Sequence, residues 1–454
     1  MKHFLKKAAA LISICMIVCT VSAASVYAAA DPAVVTTNSI AGWPQAEDIN
    51  STTGVLIEAS TGTVLFNKSM DKQMYPASIT KILTTLVTLE NGNMSDSVTM
   101  TQTGVDYAVG GSSNQGTRVG EVFTLEQLLY GTMLASANDM ATQMGEHIGG
   151  SIENFCAMMN ERAAALGCTG THFTNACGMP DPNHMTTAHD MALIMRAAVQ
   201  REDFRTIAGT HAYTIPPTNM SGERYFTNHN PLLTNPDFAY GGVIGGKNGY
   251  TDAAMSTLVN AASRDGMTMI CVALHAVDAP HAANDNIALL DYGFNNFEMC
   301  EVLPAEYCEN GMNRIVVPKG VKLADCTETI EEYDAEGTPM IRQTYTYSDY
   351  TLGTITLTKE KKAAYEKALA DAQRPKEEKK NEDESAEQTA LESSGPLTES
   401  VSAADSGAKS EAQRSAEERV RMVKMMFGTV GITVGLLFLL FVILLIRYIV
   451  KSKK

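Results

Sequence analysis

The chain has 454 residues, 45% of them hydrophobic, and its 35 Lys and Arg against 51 Asp and Glu give a formal net charge of −16 at pH 7. This length predicts two or three domains. An acidic protein repels phosphate, so the charge excludes a nucleic-acid-binding protein that works by neutralising phosphates.

The N-terminus has the pattern of a secretory signal peptide over residues 1–28. Basic residues near the start precede an apolar run from Ala8 to about Val21, and small residues follow. A basic start, an apolar centre and a small-residue cleavage site are typical of such a peptide. We expect cleavage after Ala28, and the sequence also permits cleavage after Ala30. The alternative is an uncleaved N-terminal anchor.

Residues 31–300 are predicted to form one α+β catalytic domain. A β-hairpin comes first, a long helical region lies between about 76 and 199, and strands return after residue 242, followed by a last helix at about 287–294. Strands, then helices, then strands favour an antiparallel sheet with helices packed on it over repeated βαβ units. The predicted strands are 54–58, 63–67, 243–251, 255–262 and 267–275.

Three helix starts carry capping signals. Thr124 and Gln127 form a capping box before an apolar-periodic run to about residue 148. Ser151 is predicted to open a second helix that ends near residue 167. Thr187 caps a third helix over 188–199.

A small β module is predicted at 301–360, where Thr, Tyr and Val alternate and turn signals recur. Residues 361–424 are predicted to form an acidic tether, which begins with a short helix at 363–372. The stretch 376–418 holds five basic and twelve acidic residues, a net charge of −7, and no aromatic residue. Such a composition buries too little apolar surface to fold.

Residues 425–446 are predicted to form a transmembrane helix. These 22 residues carry no charge, and about 20 apolar residues span a bilayer core. The alternative, a buried core helix, lacks a polar side to face water. The basic tail 447–454 is expected in the cytoplasm. The chain is therefore predicted to be a single-pass cell-membrane protein whose catalytic domain lies outside the cytoplasm.

Seven cysteines remain after the predicted signal peptide, so at least one is unpaired in a monomer. Cys300 and Cys308 are the expected disulfide pair. The sequence contains no C-x-x-C spacing, so we do not expect a structural zinc site. The histidines form no H-E-x-x-H or comparable cluster, so we expect neither a metal nor a cofactor. The histidines considered for a metal site are His172, His184, His189, His211 and His229.

The pattern S-x-x-K occurs three times, starting at Ser69, Ser78 and Ser406. Only at Ser78 does it open an apolar-periodic helix, directly after the helix-initiating Pro76. Positions i and i+3 share a helix face, so Ser78 and Lys81 would point together into a cleft. A buried lysine loses its proton readily and can activate a hydroxyl. The alternative is a serine beside a solvated lysine.

A second candidate motif is S-x-N at Ser136 and Asn138. It interrupts the apolar-periodic helix pattern with small and polar residues, whereas a second S-x-N, at 112–114, lies in a glycine-rich loop. A helix break there would place a hydroxyl and an amide in a cleft. The alternative is close helix packing through small residues.

A third candidate is the strand segment of Lys247, Asn248, Gly249, Tyr250 and Thr251. Glycine within a strand often marks the close approach of a ligand to the backbone. A lysine there would suit a substrate carboxylate. The alternative is a bulged edge strand.

In this order the three motifs resemble those of serine β-lactamases and penicillin-binding proteins. The chain is similar to the D-alanyl-D-alanine carboxypeptidases, the low-molecular-mass penicillin-binding proteins of serine peptidase family S11. The resemblance covers about 47–298, including the segments 75–81, 134–139, 174–178, 246–251 and 290–297. It implies an antiparallel sheet with a helical subdomain. The family usually has K-T-G, whereas Asn248 replaces the threonine here, and we expect altered affinity for substrate and β-lactam.

The resemblance also implies roles for the site residues. Ser78 would be the nucleophile, Lys81 its base, Ser136 a proton relay and Asn138 an orienting amide. The segment 247–251 would bind the substrate, a peptidoglycan stem peptide ending in D-Ala-D-Ala, and β-lactams would inhibit. The alternatives are a serine β-lactamase, a transpeptidase, or a non-catalytic penicillin sensor or cell-wall-binding protein.

Overall fold

The computed structural model of the protein describes residues 35–107 and 112–373. The predicted signal peptide, most of the predicted tether, the predicted membrane span at 425–446 and the tail lie outside these residues. Within the described part of the chain, no helix combines the length and the apolar character needed to cross a membrane.

Helices and strands follow one another in runs along the chain, with five consecutive α-helices at 125–209 and five consecutive strands at 297–358. The strands are β1 Thr53–Glu58, β2 Val64–Lys68, β3 Ser97–Thr99, β4 Val122–Thr124, β5 Ala212–Ile215, β6 Arg224–Thr227, β7 Val243–Thr251, β8 Met255–Arg264, β9 Met267–Ala276, β10 Phe297–Glu301, β11 Arg314–Pro318, β12 Thr327–Ala335, β13 Thr338–Tyr347 and β14 Tyr350–Thr358. The helices are α1 Lys81–Asn91, α2 Gln102–Asp106, α3 Leu125–Leu134, α4 Asn138–Gly149, α5 Ile152–Ala165, α6 Ala188–Val199, α7 Glu202–Gly209, α8 Pro231–Thr234, α9 Ala279–Asn296 and α10 Lys359–Gln373.

A five-stranded antiparallel sheet in the order β2-β1-β9-β8-β7 forms the centre of the fold. Successive side chains of a strand point to opposite faces. Thus Val55 and Ile57 of β1 join one hydrophobic core, with helices α1 and α3 to α7, whereas Leu56 joins the other, with helix α9. The predicted α+β class, an antiparallel sheet with helices packed on it, is confirmed.

The three predicted helix caps are present. Thr124 Oγ1 accepts from the Gln127 backbone N–H, and the Gln127 side chain accepts from the Thr124 N–H, completing the capping box. Ser151 and Thr187 cap α5 and α6 through their hydroxyls. These caps fix helix starts locally, which explains why the sequence predicted them to the residue.

Helix α9 begins eight residues before its predicted start. Asp278 caps it by accepting from the His281 N–H, and Pro280 lies in its first turn. Both are helix-start signals that the apolar pattern alone did not include. Helix α7 and the two-stranded antiparallel pairs β3–β4 and β5–β6 were not predicted.

The segment predicted as a β module contains strands β11 to β14, and its apolar side chains share a core with the central sheet. Trp43 lies in the seam, with its ring centroid 5.1 Å from that of Phe297 and 4.9 Å from that of Tyr350. Its indole N–H donates to the Leu65 carbonyl at 3.0 Å. The boundary at residue 301 stays a prediction, since strand β10 begins at Phe297 and the described residues form one compact unit.

The predicted Cys300–Cys308 disulfide is wrong. All seven cysteines in the described part of the chain are free. Cys300 lies on β10 and its thiol donates to the Glu301 carbonyl, whereas Cys308 is buried in the core shared with the module. Cys300 also packs against this core, yet the two sulfur atoms are not bonded.

Candidate active site

Ser78 lies on a tight turn at the start of helix α1. Residues 77–80 form one 3-10 turn, and the α-helix continues from Lys81. Ala77 has a φ of +51°, a left-handed conformation that a residue with a Cβ adopts only where its surroundings impose it. The serine is therefore presented by a strained backbone.

Three neighbouring groups hold this turn. A Cβ added to Gly178 would overlap the carbonyl oxygen of Ala77, so the loop at residue 178 packs directly on the turn. Thr257 Oγ1 donates to the Pro76 carbonyl at 3.0 Å, and Thr80 Oγ1 donates to the Ala77 carbonyl at 2.9 Å. These contacts supply the constraint that the positive φ requires.

Lys81 is fully buried and its amine touches three oxygen atoms. Its Nζ lies 3.0 Å from Ser78 Oγ, 2.7 Å from Asn138 Oδ1 and 2.7 Å from the Cys177 carbonyl oxygen. An ammonium donates to all three. A neutral amine donates to the amide and the carbonyl, which only accept, and its lone pair then accepts from the serine hydroxyl. The arrangement therefore suits a base that removes the Ser78 proton.

Ser136 and Asn138 occupy the break between helices α3 and α4. Ser136 has a φ of +59°, and helix α4 begins at Asn138. Both side chains are buried, as the interruption of the apolar pattern predicted. The break thus brings Asn138 against Lys81, 57 residues away in sequence.

Asp139 supports this break and was missed in the sequence. Its carboxylate accepts from the backbone N–H groups of Gln115 and Thr117 and from the Thr117 hydroxyl at 2.9 Å. The Asn138 N–H in turn donates to the Ser113 carbonyl at 2.8 Å. Asp139 therefore fixes the loop 112–117 beside the site; an acid in the first turn of a helix was the available signal.

The loop that offers the Cys177 carbonyl to Lys81 is folded around Asn175. Asn175 Oδ1 accepts from three successive backbone N–H groups, those of Cys177, Gly178 and Met179. Asparagine commonly folds turns in this way. Asn175 lay within a segment that carried the family resemblance, but its role was not predicted.

His184 ties the same loop to helix α1. Thr80 Oγ1 donates to a carbonyl, so it accepts from His184 Nε2 at 2.9 Å, while His184 Nδ1 accepts from the Thr174 N–H at 3.0 Å. These bonds require a neutral ring protonated on Nε2. Burial lowers the pKa of His184 to about 4. His184 therefore links the loop to helix α1. Within the described residues, no group of three His, Cys, Asp or Glu side chains is arranged to hold a metal ion.

Strand β7, at the edge of the sheet, closes the site opposite helix α1. A Cβ added to Gly249 would lie 2.7 Å from the Ser78 backbone nitrogen, so the strand touches the backbone of Ser78. Lys247 is buried, with 1% of its surface exposed, and its Nζ donates to the Asn248 carbonyl at 2.9 Å and to Asn248 Oδ1 at 3.1 Å. The sequence predicted the close approach of a ligand at these glycines, whereas the group that the structure places against Gly249 is the backbone of Ser78.

The last two residues of the third motif extend away from the lysines. Tyr250 is 60% exposed and its hydroxyl donates to Asp252. Thr251 Oγ1 accepts from the Ala254 N–H at the turn after the strand. Residues two apart on a strand direct their backbone groups to the same side, so the Tyr250 N–H points in the direction of the Asn248 carbonyl.

Burial sets the electrostatics of the site. It lowers the pKa of Lys81 from 10.5 to about 8, because the charged form loses its hydration. Burial and the neighbouring charge of Lys81 lower the pKa of Lys247 well below its usual range. His229 faces Lys247, and burial, with that positive charge, lowers the pKa of the imidazole. Each of these three groups therefore binds a proton less readily than it would in water.

Comparison with known proteins gives consistent matches. The profile of the family described as peptidase S11, D-alanyl-D-alanine carboxypeptidase, matches residues 40–278. The D-alanyl-D-alanine carboxypeptidase DacF of Bacillus subtilis is 34% identical over 250 residues, 54% of this chain and 62% of that protein. A D-alanyl-D-alanine carboxypeptidase of Streptomyces sp. strain K15 is 32% identical over 254 residues, 53% of this chain and 86% of that protein.

A solved structure adds a match of the fold. The crystal structure of the Streptomyces K15 DD-transpeptidase is 32% identical, covers 56% of this chain and 100% of its own, and superposes with a TM-score of 0.52. This chain thus spans less than two thirds of the B. subtilis relative and nearly all of the smaller Streptomyces protein.

The contact between strand β7 and the nucleophile yields a test. Gly249→Ala should lower the rate at which labelled penicillin acylates Ser78 by about a hundredfold, because displacing reacting groups by about 1 Å costs that much. The Cβ would meet the Ser78 nitrogen and Thr257 Oγ1, both at 2.7 Å. Gly222→Ala is the matched control, since nothing lies within 4 Å of its added Cβ. Equal acylation rates in the two variants would contradict the close approach.

Proposed function

Because the chain belongs to the peptidase S11 family of D-alanyl-D-alanine carboxypeptidases, we propose that it is a serine-type D-Ala-D-Ala carboxypeptidase acting on peptidoglycan stem peptides. The observation that carries this proposal is the Lys81 amine, held between the Ser78 hydroxyl, Asn138 Oδ1 and the Cys177 carbonyl. This is a buried base in hydrogen-bonding contact with a hydroxyl at a strained turn.

In the proposed reaction, Ser78 Oγ attacks the carbonyl carbon between the two terminal D-alanines while neutral Lys81 takes its proton. The backbone N–H groups of Ser78 and Tyr250 stabilise the oxyanion; support comes from the contact of β7 with the serine backbone and the direction of the Tyr250 N–H. The C–N bond then breaks, and Ser136 passes a proton to the departing amine. Water cleaves the acyl-enzyme.

The substrate's terminal carboxylate is proposed to bind at Lys247 and Asn248, with Thr251 at the end of the strand. A carboxylate beside Lys247 favours the charged form of that lysine, and the new charge disfavours a proton on Lys81. Binding of the substrate would therefore leave the base neutral when it is needed. A β-lactam would acylate Ser78 in the same way and remain attached.

Transpeptidation is the second candidate, because the K15 structure that covers this fold bears the name DD-transpeptidase. The same acyl-enzyme would then be captured by an amine instead of water. A β-lactamase is less well supported: the segment 171–190, where class A enzymes would place a glutamate for deacylation, contains no Glu. A non-catalytic penicillin sensor would be acylated at Ser78 with the same base, but it would release no D-alanine from the peptide.

The sequence supports a proposed location on the outer side of the cell membrane. The pattern of residues 1–28 is that of an export signal, and the uncharged stretch 425–446, followed by a basic tail, matches a single-pass anchor. Residues 361–424 would then be the tether, the β module would occupy 301–360, and the catalytic domain 31–300 would face the cell wall.

The activity is tested with a peptide that ends in D-Ala-D-Ala. We expect the wild-type protein to release free D-alanine, measured with a D-amino-acid oxidase assay, and Ser78→Ala to reduce release at least a thousandfold because the nucleophile is lost. Ser69→Ala, at another S-x-x-K, is the matched control and should retain activity. Release by Ser78→Ala at the wild-type rate would disprove the assignment. Adding a D-amino acid or diamine as acceptor separates hydrolysis from transpeptidation.

The lowered pKa of Lys81 predicts the pH dependence. The neutral amine is the active form, so kcat/KM should rise with pH and level off above a midpoint near the Lys81 pKa of about 8. An ordinary lysine would give a rise near 10.5. The measurement is the rate of D-alanine release, or of penicillin acylation, between pH 5.5 and 10. A midpoint below 7 would indicate a histidine instead and would contradict the role of Lys81.

The anchor is tested by truncation. A chain that ends at residue 424 should appear in the medium or the soluble fraction, whereas the full chain should sediment with membranes and resist extraction with alkaline carbonate, because some 20 apolar residues hold a segment in the bilayer. Both proteins should be labelled by penicillin. Sedimentation of the truncated chain with membranes would contradict the proposed anchor.

A further inference from the structure

The amine of Lys247 donates two hydrogen bonds to the residue next to it. Its Nζ donates to the Asn248 carbonyl at 2.9 Å and to Asn248 Oδ1 at 3.1 Å. Within residues 35–107 and 112–373 it has no other hydrogen-bond partner, and 1% of its surface is exposed. One asparagine thus provides both of the oxygen atoms that accept from this buried amine.

The Asn248 amide can accept one hydrogen bond and donate others at the same time. While Oδ1 accepts from Lys247, the Nδ2 group keeps two N–H donors, and within the described residues neither has a partner. Those donors can bind a carboxylate oxygen or an uncharged carbonyl oxygen. A threonine hydroxyl at residue 248 would offer one donor, and the short side chain would leave Lys247 without the second oxygen.

A buried N–H group without an acceptor is costly, and a site that depends on a ligand to supply the acceptor rejects ligands that lack it. Lys247 does not depend on the ligand in this way, because Asn248 already satisfies it. A substrate carboxylate must displace Oδ1 before it can pair with the amine. A terminal carboxylate therefore adds less binding free energy at this site. Replacing the carboxylate by an uncharged group costs correspondingly less binding free energy.

We propose that Asn248 is a specificity-determining residue that widens the substrates of this site to acyl-D-alanyl-D-alanine ends in which the terminal carboxylate is replaced by an uncharged carboxamide. The inference rests on the proposed function and on the same chemistry. Ser78 Oγ bonds to the acyl carbon, the C–N bond to D-alaninamide breaks, the departing amine takes the proton, and water releases the acyl group.

The test compares two peptides that differ only at the C-terminus, diacetyl-L-lysyl-D-alanyl-D-alanine and its C-terminal carboxamide. Full-length protein in detergent is used, and D-alanine or D-alaninamide is measured by chromatography. We expect the wild-type kcat/KM for the carboxylate peptide to exceed that for the carboxamide by no more than about tenfold. One hydrogen bond to a charged group is worth about 1.5–3 kcal/mol, or roughly ten- to a hundredfold.

Two variants should change the ratio of kcat/KM for the carboxylate peptide to kcat/KM for the carboxamide peptide in opposite directions. Asn248→Thr should raise it by at least about tenfold, chiefly through a slower reaction of the carboxamide. Asn248→Asp has nearly the same shape but places a negative charge at Lys247, so it should lower kcat/KM for the carboxylate peptide by at least about tenfold and affect the carboxamide less. A thermal unfolding midpoint close to that of the wild-type protein confirms that each variant is folded.

A wild-type preference for the carboxylate above about a hundredfold overturns the inference whatever the variants do. Ratios that stay within twofold of wild type in both variants also overturn it. In either case D-alanine release from the carboxylate peptide leaves the proposed function standing. If wild-type protein releases nothing from either peptide while Ser78 is intact, the proposed function fails and the inference fails with it.

Discussion

The structure depends on two lysine amines buried in one cleft. Lys81 and Lys247 lie between helix α1, the α3–α4 break and the edge of the sheet, and each is about fully buried. Neither amine contacts a carboxylate within the described residues; their partners are a hydroxyl, amide oxygens and backbone carbonyls. Neutral acceptors satisfy hydrogen-bonding groups without stabilising the charge as an acid would. The pKa of both lysines therefore falls, and Lys81 becomes a base near neutral pH.

The position of Asp139 shows how the fold keeps a carboxylate away from the lysine amines. Asp139 follows Asn138 directly, but its carboxylate is occupied by N–H groups and a hydroxyl of the loop 112–117. The negative charge of Asp139 therefore organises this loop and is not paired with either lysine amine. The strained turns at Ala77 and Ser136 face the same cleft, and both are held by contacts with other segments. Strain at a site that its surroundings determine is typical of functional backbone.

The sequence was sufficient for features governed by neighbouring residues. The hairpin of β1 and β2, three helix caps and the three motifs could be predicted because turn chemistry, capping and helix periodicity act over a few positions. The joint placement of Ser78, Lys81, Asn138 and Lys247 was inferred from a resemblance, since no local rule brings together residues 57 or more positions apart. Asn175, His184 and the wrongly expected Cys300–Cys308 pair depend on contacts made only in the folded chain, and no spacing encodes them.

The seam around Trp43 has a consequence for spectroscopy. Trp43 is the single tryptophan of the chain and lies among aromatic rings where the β module meets the sheet. Its core lies on the face of the sheet opposite helix α1. The intrinsic ultraviolet emission of the protein is therefore a reporter of whether this seam is closed. Emission would follow separation of the module from the sheet, and ligands in the cleft would leave it nearly unchanged.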